Sequence, residues 1–511
     1  MMTLRSAADG FLRRHWLLLF SFLTAASTLL ICSKSSPLYP MNDWVDVHCF
    51  LTLGKGLLHG MVPYVDLYEQ KGPLLYFLYA IVALFSQKSF LGQYLLEVVS
   101  FSLFLFFSGK IACLYLGKGW SILPLISILG VLSASAYAFQ HGGSVEQLCL
   151  FMFTYGLWSV LNASKNHRGL TTAEAIWNGV FAGSVFWIKY SMVGFYLGLA
   201  VFVLVWYGFW LRDWKALLKT IGRFLLGVVI VTVPIFLYFL AVGALDALFT
   251  AYFYNNIFLY PNEDPTPLLE VVGNRLDAAW TFDPNLGWLL FIGLCYLLIR
   301  AKEAPEDLLA VCVSFFGLAI TTYMGKGYPY YAMVFVSFAV LGLIPLVQVL
   351  RKLGVCGAIS RLTRGAPIAR ILLVFCVMIL CLSYGLSNSS NTYLMYYEKE
   401  ELPQYKFAQI MHERKEDPTL LNMGFLDGGF YYAADILPNT PFFCSFNVNA
   451  PGMWDDHHAV IRERKVDFIV TRNHTLDDYH YGHDYELIST AEMFFEGVVF
   501  DYHLYALKEG G

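Results

Sequence analysis

The longest polar interruption in the first third of the chain is NDWVDVHCFLTLGKGLLHGMVPYVDLYEQKGP, from Asn42 to Pro73. A connection that only joined two membrane helices could be much shorter. Carboxylates and an amine held at a membrane surface can accept a proton and balance the charge of an anion. The side chains of this stretch that could carry such chemistry are Asp43, Asp46, Asp66, Glu69 and Lys71.

The first candidate for chemistry is an acid just past the end of the first apolar segment, Asp46. A carboxylate there can take a proton from an acceptor hydroxyl group as that group attacks, which is the work of a general base. The simpler interpretation is a solvated loop acid. Asp43 is the competing candidate, and we expect it to lie closer to the solvated end of the loop.

The cation of the stretch is Lys71, in the sequence QKGP. Its ammonium group can bind the phosphate of a lipid-linked substrate and stabilise that phosphate as it leaves. It can also pair with lipid headgroups without specificity. Gly72 and Pro73 allow the backbone to come close to a ligand.

The elements that must position these residues are membrane helices. Of the 511 residues, 57% are hydrophobic and only 14% are charged, whereas soluble domains carry about 25% charged residues. The net charge of −4 argues against a nucleic-acid partner. The recurring apolar runs predict a polytopic α-helical membrane protein with about 11 transmembrane helices. The candidate spans are 16–33, 90–116, 120–139, 144–161, 175–189, 192–211, 223–243, 286–300, 307–323, 329–350 and 370–386.

Basic residues predict the orientation, because Lys and Arg accumulate in cytoplasmic loops. Arg13 and Arg14 place the N-terminus inside. All later basic loops are then also inside, provided that residues 73–86 do not span the membrane. Since that apolar stretch is too short to cross comfortably, we predict an interfacial helix within a first outer loop at 34–89. An acidic loop at 244–284 is also predicted outside. The basic residues inside are Lys165, His167, Arg168, Arg212, Lys215, Lys219, Arg223, Arg300, Lys302, Arg351, Lys352, Arg361, Arg364 and Arg370, and the acids of the outer loop include Asp246, Glu263, Asp264, Glu270, Asp277 and Asp283.

The same orientation places further polar side chains on the outer face. Each has an ordinary explanation: Glu146 favours a helix N-terminus, Lys189 extends to the interface, and GKGYPYY resembles an aromatic belt. Polar residues at a membrane boundary are costly, however, and usually face a cavity. Their convergence predicts a catalytic cavity that includes His141, Glu146, Lys189, Lys326 and Tyr330 as candidate substrate-binding residues.

The character of the chain changes after about residue 388. Residues 1–388 form the predicted transmembrane domain and 389–511 a small extracytoplasmic α/β domain. The predicted strands are 419–425, 440–446 and 465–472, the predicted helices are 428–436 and 455–464, and a hairpin is predicted at 495–508.

Most of the ten cysteines lie inside apolar runs. Cys49 and Cys444 are the only two in polar regions, so no disulfide framework is expected. The sequence contains no Walker loop, dinucleotide fingerprint or zinc-ligand spacing. No cofactor or metal site is therefore predicted, although a divalent metal requirement is left open.

The pattern WVD…GKGLLHGMVPYVDLYEQKGPLLYF resembles the first outer loop of the GT-C superfamily of glycosyltransferases. It is closest to the bacterial branch related to protein mannosyltransferases and aminoarabinose transferases. The family's catalytic acid before the Gly-Lys matches Asp46 better than Asp43. Its donor-phosphate lysine matches Lys71, with KGP here in place of KP or KPP. A glutamate that opens an outer helix end matches Glu146.

The resemblance implies an inverting transfer at the bacterial plasma (inner) membrane, with the active site outside. A sugar on a polyprenyl phosphate would be the donor, and a cell-envelope glycan, lipid or protein would be the acceptor. Asp46 would deprotonate the acceptor, and Lys71, with Lys189 or Lys326, would offset the charge of the leaving phosphate. The alternatives are a flippase or transporter of a lipid-linked glycan and a non-catalytic scaffold. A transporter usually has its polar site near the bilayer midplane on repeated, broken helices.

Overall fold

The computed structural model describes residues 2–260, 266–324, 326–362, 367–479, 481, 483–495 and 497–508, without the side chains of 2–14, 360, 362 and 367. The predictions for Arg13, Arg14, Glu263, Asp264 and Arg364 therefore lie outside the described residues or side chains.

Helices dominate the first three quarters of the described chain. They are α1 (Met2–Cys32), α2 (Val45–Leu58), α3 (Pro73–Phe85), α4 (Leu91–Leu116), α5 (Ile122–Ala134), α6 (Val145–Lys165), α7 (Thr172–Lys189), α8 (Gly194–Val205), α9 (Trp214–Ala241), α10 (Leu245–Leu248), α11 (Leu268–Phe282), α12 (Pro284–Arg300), α13 (Pro305–Tyr323), α14 (Val336–Lys352), α15 (Val355–Leu362) and α16 (Pro367–Asn388). Wider π-helical turns continue α8 over Trp206–Leu211 and α10 over Phe249–Leu259. Tighter 3-10 turns occupy Tyr137–Phe139, Tyr190–Met192 and Pro329–Phe335.

The C-terminal part mixes helices and strands. Its elements are α17 (Pro403–Arg414), β1 (Leu420–Met423), α18 (Phe430–Ala434), α19 (Met453–Arg462), β2 (Phe468–Arg472), β3 (Tyr485–Phe495) and β4 (Val498–Leu507). The 3-10 turns of this part are Thr392–Tyr396, Lys399–Glu401 and Asp477–Tyr479.

Many of the helices are apolar enough to cross a membrane. Among the described residues, seven qualify by length and composition, or up to eight if α11 and α12, which meet at 116°, form one broken span. The predicted spans at 120–139, 144–161 and 175–189 coincide with α5, α6 and α7, which do not meet that criterion. The chain is a polytopic α-helical membrane protein. The seven helices are His15–Cys32, Leu91–Leu116, Gly194–Leu211, Trp214–Ala241, Pro305–Tyr323, Pro329–Lys352 and Ile368–Asn388.

The chain packs as two compact units that are not continuous in sequence. The first unit contains Met1–Ser33, Tyr94–Thr232 and Asp264–Thr392, and the second contains Lys34–Gln93, Val233–Glu263 and Tyr393–Gly511. The predicted domain boundary at 388/389 falls close to the last division. The predicted outer loop at 34–89, however, belongs to the same unit as the C-terminal α/β part rather than to the helices around it.

In the second unit, α2 packs closely against α3. A methyl group on Gly54 would lie 2.5 Å from the carbonyl carbon of Tyr79, so only glycine permits this approach. Pro73 starts α3 at a position where its missing N–H costs nothing. With 13 residues, α3 is shorter than the roughly 20 that a span requires. The predicted helix at 73–86 is confirmed, and its place along the membrane surface stays a prediction.

The C-terminal sheet has the strand order β1-β2-β4-β3. β1 pairs with β2 in parallel, and β4 pairs antiparallel with both β2 and β3. The predicted strands at 419–425 and 465–472 and the two helices are confirmed. A final hairpin is present, but it extends beyond the predicted 495–508: most of that segment is its second strand, β4, and its first strand, β3, begins at Tyr485. The core under the sheet is formed by apolar side chains that include Leu421, Met423, Val460, Ile461, Ile469, Leu476 and Tyr485.

The predicted strand at 440–446 is wrong. The segment runs beside β1 and makes two backbone hydrogen bonds to it and its extension: Asn422 N–H donates to Phe443 O, at 3.2 Å, and Ser445 N–H donates to Phe425 O, at 3.0 Å. Pro441 has no N–H to continue a ladder, and its carbonyl instead accepts a hydrogen bond from Tyr68 N–H, at 2.9 Å. The apolar, aromatic composition of the segment therefore reflects burial rather than pairing.

Candidate active site

In the second unit, the predicted base and the predicted cation lie next to each other. Lys71 Nζ is 3.7 Å from Asp46 Oδ2 and 3.7 Å from Glu69 Oε1. The side chains of Asp46 and Lys71 are 14% and 12% exposed, so both can reach a ligand from a sheltered position. Asp46 lies in the first turn of α2, where a carboxylate is also favoured by the helix dipole.

The position of Lys71 is fixed through its backbone. Its N–H donates to Glu69 Oε2 at 2.7 Å, and its carbonyl accepts hydrogen bonds from the hydroxyl groups of Tyr64, at 2.6 Å, and Tyr76, at 2.8 Å. The Tyr76 hydroxyl group also contacts the Glu69 carboxylate. The backbone at Lys71 is thus held by three side chains, while its amine lies 5.7 Å from the centre of the Phe50 ring.

Both tyrosines of this arrangement act as neutral hydrogen-bond donors. Burial, with the nearby negative charge of Glu69 as a further cause, raises the pKa of Tyr64 and the pKa of Tyr76 well above the usual range. Tyr64 adopts a left-handed backbone conformation with φ of 70°, in the turn that the sequence MVPYVDL forms. This turn brings the tyrosine ring from the start of the loop back over its end.

Asp66 belongs to the same turn. Its carboxylate accepts a hydrogen bond of 2.7 Å from Val62 N–H, and its side chain is exposed. This contact closes the turn locally, as aspartate side chains often do. It gives no support to the predicted role of Asp66 in substrate binding, whereas Glu69 lies beside Lys71 as described above.

Asp43 occupies a different environment from Asp46. Its carboxylate pairs with Lys34 Nζ at 2.6 Å and accepts a hydrogen bond from the Tyr393 hydroxyl group at 2.7 Å. Asp43 is only 3% exposed. The expectation that Asp43 lies nearer the solvated end of the loop is therefore wrong, because an ion pair with a lysine from just beyond α1 draws it into the interior. Of the two acids, Asp46 is the one that a substrate can reach.

A second polar group forms in the first unit. Lys189, at the end of α7, pairs with Glu146 in the first turn of α6, with Nζ and Oε1 2.5 Å apart. The Lys189 amine also lies 3.4 Å from the centre of the Tyr331 ring. Glu146 is fully buried, which is tolerable for a carboxylate only because a cation compensates its charge.

Of the remaining predicted residues of the first unit, Tyr330 lies near this pair, with the Lys189 amine 5.9 Å from the centre of its ring. His141 contacts the ring of Tyr330 edge-on, with ring centres 5.4 Å apart. His141 precedes the turn at Gly142 and Gly143, which have φ of 66° and 80° and lead into α6. Burial lowers the pKa of Lys326, which lies in the loop after α13. That the two polar groups line one cavity stays a prediction.

Several residues of these groups were not found by sequence reasoning. The sequence indicates Tyr76 only as an aromatic residue of the predicted interfacial helix, and it does not single out Tyr64. Tyr331 could be inferred only from its place beside Tyr330. Lys34 and Tyr393 gave no local signal. Their contacts with Asp43 join positions 9 and 350 residues apart, which no periodicity reveals.

No family model and no curated protein matches the chain. Among solved structures, it is similar to ArnT from Cupriavidus metallidurans bound to undecaprenyl phosphate, with a TM-score of 0.58 and 13% identity over 96% of this chain and 98% of that one. The apo form of the same protein gives a TM-score of 0.57 with 13% identity over 98% of each chain. The chain has the GT-C fold.

The GT-C fold agrees with the resemblance read from the first outer loop. The match spans nearly the whole of both chains, so it includes the C-terminal α/β part as well as the helices. At this level of identity the likeness concerns the fold. The roles of Asp46, Lys71 and the other side chains have to be argued from their own chemistry.

Proposed function

We propose that this chain is an inverting glycosyltransferase that moves a sugar from a polyprenyl-phosphate-linked donor to an acceptor hydroxyl group on the outer face of a bacterial inner membrane. The observation that carries the proposal is the juxtaposition of Asp46 and Lys71, 3.7 Å apart and partly exposed. A transfer of this kind needs a base for the acceptor and a cation for the leaving phosphate, and these two side chains supply one of each.

Asp46 is proposed as the general base. It takes the proton of the acceptor hydroxyl group while the oxygen attacks the anomeric carbon of the sugar. The new C–O bond forms as the bond from the anomeric carbon to the phosphate oxygen breaks, so the configuration inverts in one displacement. A phosphate monoester leaves as a stable anion and requires no proton from the protein.

Lys71 is proposed to bind that phosphate. Its amine lies 3.7 Å from Asp46 and from Glu69, which is longer than the roughly 2.7–2.9 Å of a charge-assisted hydrogen bond. A phosphate oxygen can therefore make a shorter contact with the amine than either carboxylate does. The backbone contacts from Tyr64 and Tyr76 keep the residue in place during the exchange.

The class of donor is supported by the similar protein. ArnT was solved with undecaprenyl phosphate bound, and the present chain matches that structure over 96% of its length. We extend the lipid phosphate, but not the sugar, to this chain. The transferred group is a hexose or a pentose, and the acceptor is an envelope glycan, lipid or protein.

The ion pair of the first unit is proposed to take part in substrate binding. Lys189 and Glu146 are held at the ends of two helices with Tyr331 against the amine. His141, Tyr330 and Lys326 are proposed to contribute polar and aromatic contacts nearby.

The test is mass spectrometry of envelope glycans, lipids and proteins from cells with and without the gene. We expect one sugar substituent to be missing from the cells without the gene. Expression of the parent gene in those cells should restore it, whereas expression of the Asp46→Asn variant should not. If the protein were a flippase, its loss would instead leave an intact lipid-linked glycan trapped on the inner side of the membrane. Unchanged envelope glycans in the deletion strain would overturn the proposal.

A further inference from the structure

Several helices of the first unit end at a group of charged and aromatic side chains that the proposed active site does not include. Its members are Tyr115 near the end of α4, Lys165 at the end of α6, Arg300 at the end of α12 and Asp307 in the first turn of α13. We call this group the Asp307 cluster. Since α4 and α13 are long and apolar enough to cross a membrane, the cluster lies where membrane helices end. Along α6 it lies at the opposite end from Glu146.

The carboxylate of Asp307 is already balanced by one cation. Asp307 is only 1% exposed, and its carboxylate accepts hydrogen bonds from the hydroxyl groups of Tyr115, at 2.9 Å, and Ser164, at 3.3 Å. Lys165 Nζ lies 3.3 Å from the same carboxylate. A buried carboxylate requires such a compensating charge. The positive charge of Lys165 is therefore used within the cluster.

Arg300 brings a second cation to the same aromatic ring. Its guanidinium carbon lies 5.7 Å from the centre of the Tyr115 ring and 5.6 Å from the centre of the Tyr296 ring. Lys165 Nζ lies 3.9 Å from the centre of the Tyr115 ring. Such contacts between a cation and an aromatic face are attractive. Gln348 on α14 donates a hydrogen bond of 3.1 Å to the Tyr296 hydroxyl group, so the ring beside Arg300 is itself fixed.

The guanidinium group of Arg300 has donors that the described protein does not satisfy. Within the described part of the chain, no carboxylate forms an ion pair with Arg300, including Glu303 and Glu306, which follow it closely in the sequence. Its Nε is buried and has no hydrogen-bond acceptor there. The end of α12 favours a positive charge, but that effect gives Nε no acceptor. Because a buried donor without an acceptor is costly, this arrangement indicates an external ligand that accepts hydrogen bonds.

A third cation lies at the same end of α4. Arg351 donates hydrogen bonds to Leu116 O, at 2.7 Å, and to Ser121 Oγ, at 2.8 Å. Both acceptors are uncharged, so these bonds position the guanidinium group without neutralising it. Of the three cations Lys165, Arg300 and Arg351, only Lys165 is paired with a carboxylate among the described residues. The end of α4 therefore carries an excess of positive charge.

We propose that Arg300 binds an anionic phosphate ester, with the positive charges of Lys165 and Arg351 increasing the attraction. A phosphate group presents several oxygens to the fork of a guanidinium group and accepts two parallel hydrogen bonds from it. The ester is a membrane phospholipid or a soluble phosphate compound. The predicted orientation places this end of the helices in the cytoplasm, where basic pockets between membrane helices bind anionic lipid headgroups. The site does not depend on the proposed sugar transfer.

Thermal unfolding of the full-length protein in detergent tests the proposal, because a ligand that binds only the folded state raises the apparent melting temperature. The protein is first washed free of lipid. The probes are dioleoylphosphatidylglycerol, with zwitterionic dioleoylphosphatidylcholine as its control, and sodium phosphate, with sodium chloride of equal ionic strength as its control. We expect an anionic probe to raise the melting temperature more than its control does. A rise with phosphatidylglycerol alone identifies a phospholipid as the ligand, and a rise with sodium phosphate identifies a soluble phosphate compound.

Three variants assign the response to Arg300. Arg300→Gln should require about 10-fold more ligand for the same rise, which is the effect of losing one hydrogen bond to a charged group. Arg300→Lys should keep part of the response, because it retains the charge without the planar fork. The matched control is Lys219→Gln, which removes an exposed cation of α9 on the same predicted face and should respond like the parent.

Two results would overturn the proposal. The first is a parent protein whose melting temperature rises no more with either anionic probe than with its control, a result that requires no variant to fold. The second is a parent-like response of Arg300→Gln. Since neither measurement requires sugar transfer, the failure of this site and the failure of the proposed function are distinguishable.

Discussion

The amine of Lys71 lies between two carboxylates, 3.7 Å from Asp46 Oδ2 and 3.7 Å from Glu69 Oε1. All three residues come from the segment 34–89, Asp46 from the start of α2 and the other two from the loop after it, and the backbone at Lys71 is held by hydrogen bonds from Tyr64 and Tyr76. A cation held this way can exchange a carboxylate for a phosphate without moving its backbone.

Removing the amine should weaken use of the donor. We expect Lys71→Ala to lower the transfer rate by about 10²–10³-fold, the usual cost of losing one group that stabilises developing charge. Lys71→Arg should keep part of the rate, since arginine carries the charge with a different geometry. The measurement is the initial rate of transfer by the purified protein in detergent.

The matched control for that experiment is Lys88→Ala. Lys88 belongs to the same unit but is exposed and pairs with Asp435 at 2.8 Å. The Lys88→Ala variant should therefore retain the parent rate of transfer. Parent-like transfer by Lys71→Ala would leave only the interaction with lipid headgroups as a role for this lysine.

The buried ion pair of the second unit should matter for stability rather than for transfer chemistry. Asp43→Asn leaves Lys34 as an uncompensated buried charge, so the free energy of unfolding should fall by about 3–5 kcal/mol. The double variant Lys34→Met/Asp43→Leu should recover much of this loss because it removes both charges. Thermal unfolding in detergent measures both effects. Parent-like stability of Asp43→Asn would mean that the pair is not formed.

Stability should also decrease as the pH falls below neutrality, because of His48. This residue is buried with Nε2 2.6 Å from Asn42 O, and it faces the rings of Phe90 and Tyr432. Burial lowers the pKa of His48 below the ordinary 6.5, and the positive charge of Lys55 lowers it further. The negative charges of Asp427 and Asp43 raise the pKa but do not offset the effect of burial.

The direction of the pH dependence of stability is determined by which state, folded or unfolded, binds the proton at higher pH. The unfolded chain protonates His48 near pH 6.5, whereas the folded protein does so only at lower pH. Stability is therefore complete above pH 6.5 and falls, by up to about 1.4 kcal/mol per pH unit, as the pH drops toward the lowered pKa. The apparent melting temperature of His48→Gln should depend less on pH between about 5 and 7 than that of the parent. Identical pH profiles would exclude this contribution.

The orientation can be tested by labelling. We expect Glu400→Cys to react with a membrane-impermeant maleimide in intact spheroplasts, and Lys352→Cys to react only after lysis. Both positions are exposed in the structure. The parent supplies the background from the native cysteines. Labelling of Lys352→Cys in intact spheroplasts would contradict the predicted orientation.

The parts of the fold that could be predicted are those determined by local sequence. Each predicted span coincides with a helix, and α3 begins at Pro73 as its composition indicates, because long apolar runs identify helices without knowledge of their neighbours. The segment 440–446 shows the limit of this reasoning. Its aromatic residues indicate burial, but only the tertiary structure shows that it lies beside β1 without forming a ladder.

The candidate site also has a part that the sequence indicates and a part that only the fold creates. Asp46 and Lys71 could be singled out because an acid and a lysine in one outer loop are unusual in so apolar a chain. The burial of Asp43 could not be predicted, because only folding brings Lys34 and the hydroxyl group of Tyr393 into contact with its carboxylate.

The most direct test of the account is the rate of transfer by Asp46→Asn with a polyprenyl-phosphate sugar, once mass spectrometry has identified the donor. The substitution keeps the size of the side chain and removes the proton acceptor, so transfer should fall by about 10²–10⁴-fold while folding and donor binding remain. Asp43→Asn should instead lose stability, with transfer per folded molecule less affected. Full turnover by Asp46→Asn would contradict the proposed mechanism, and if Asp43→Asn were folded but inactive, the base would be Asp43.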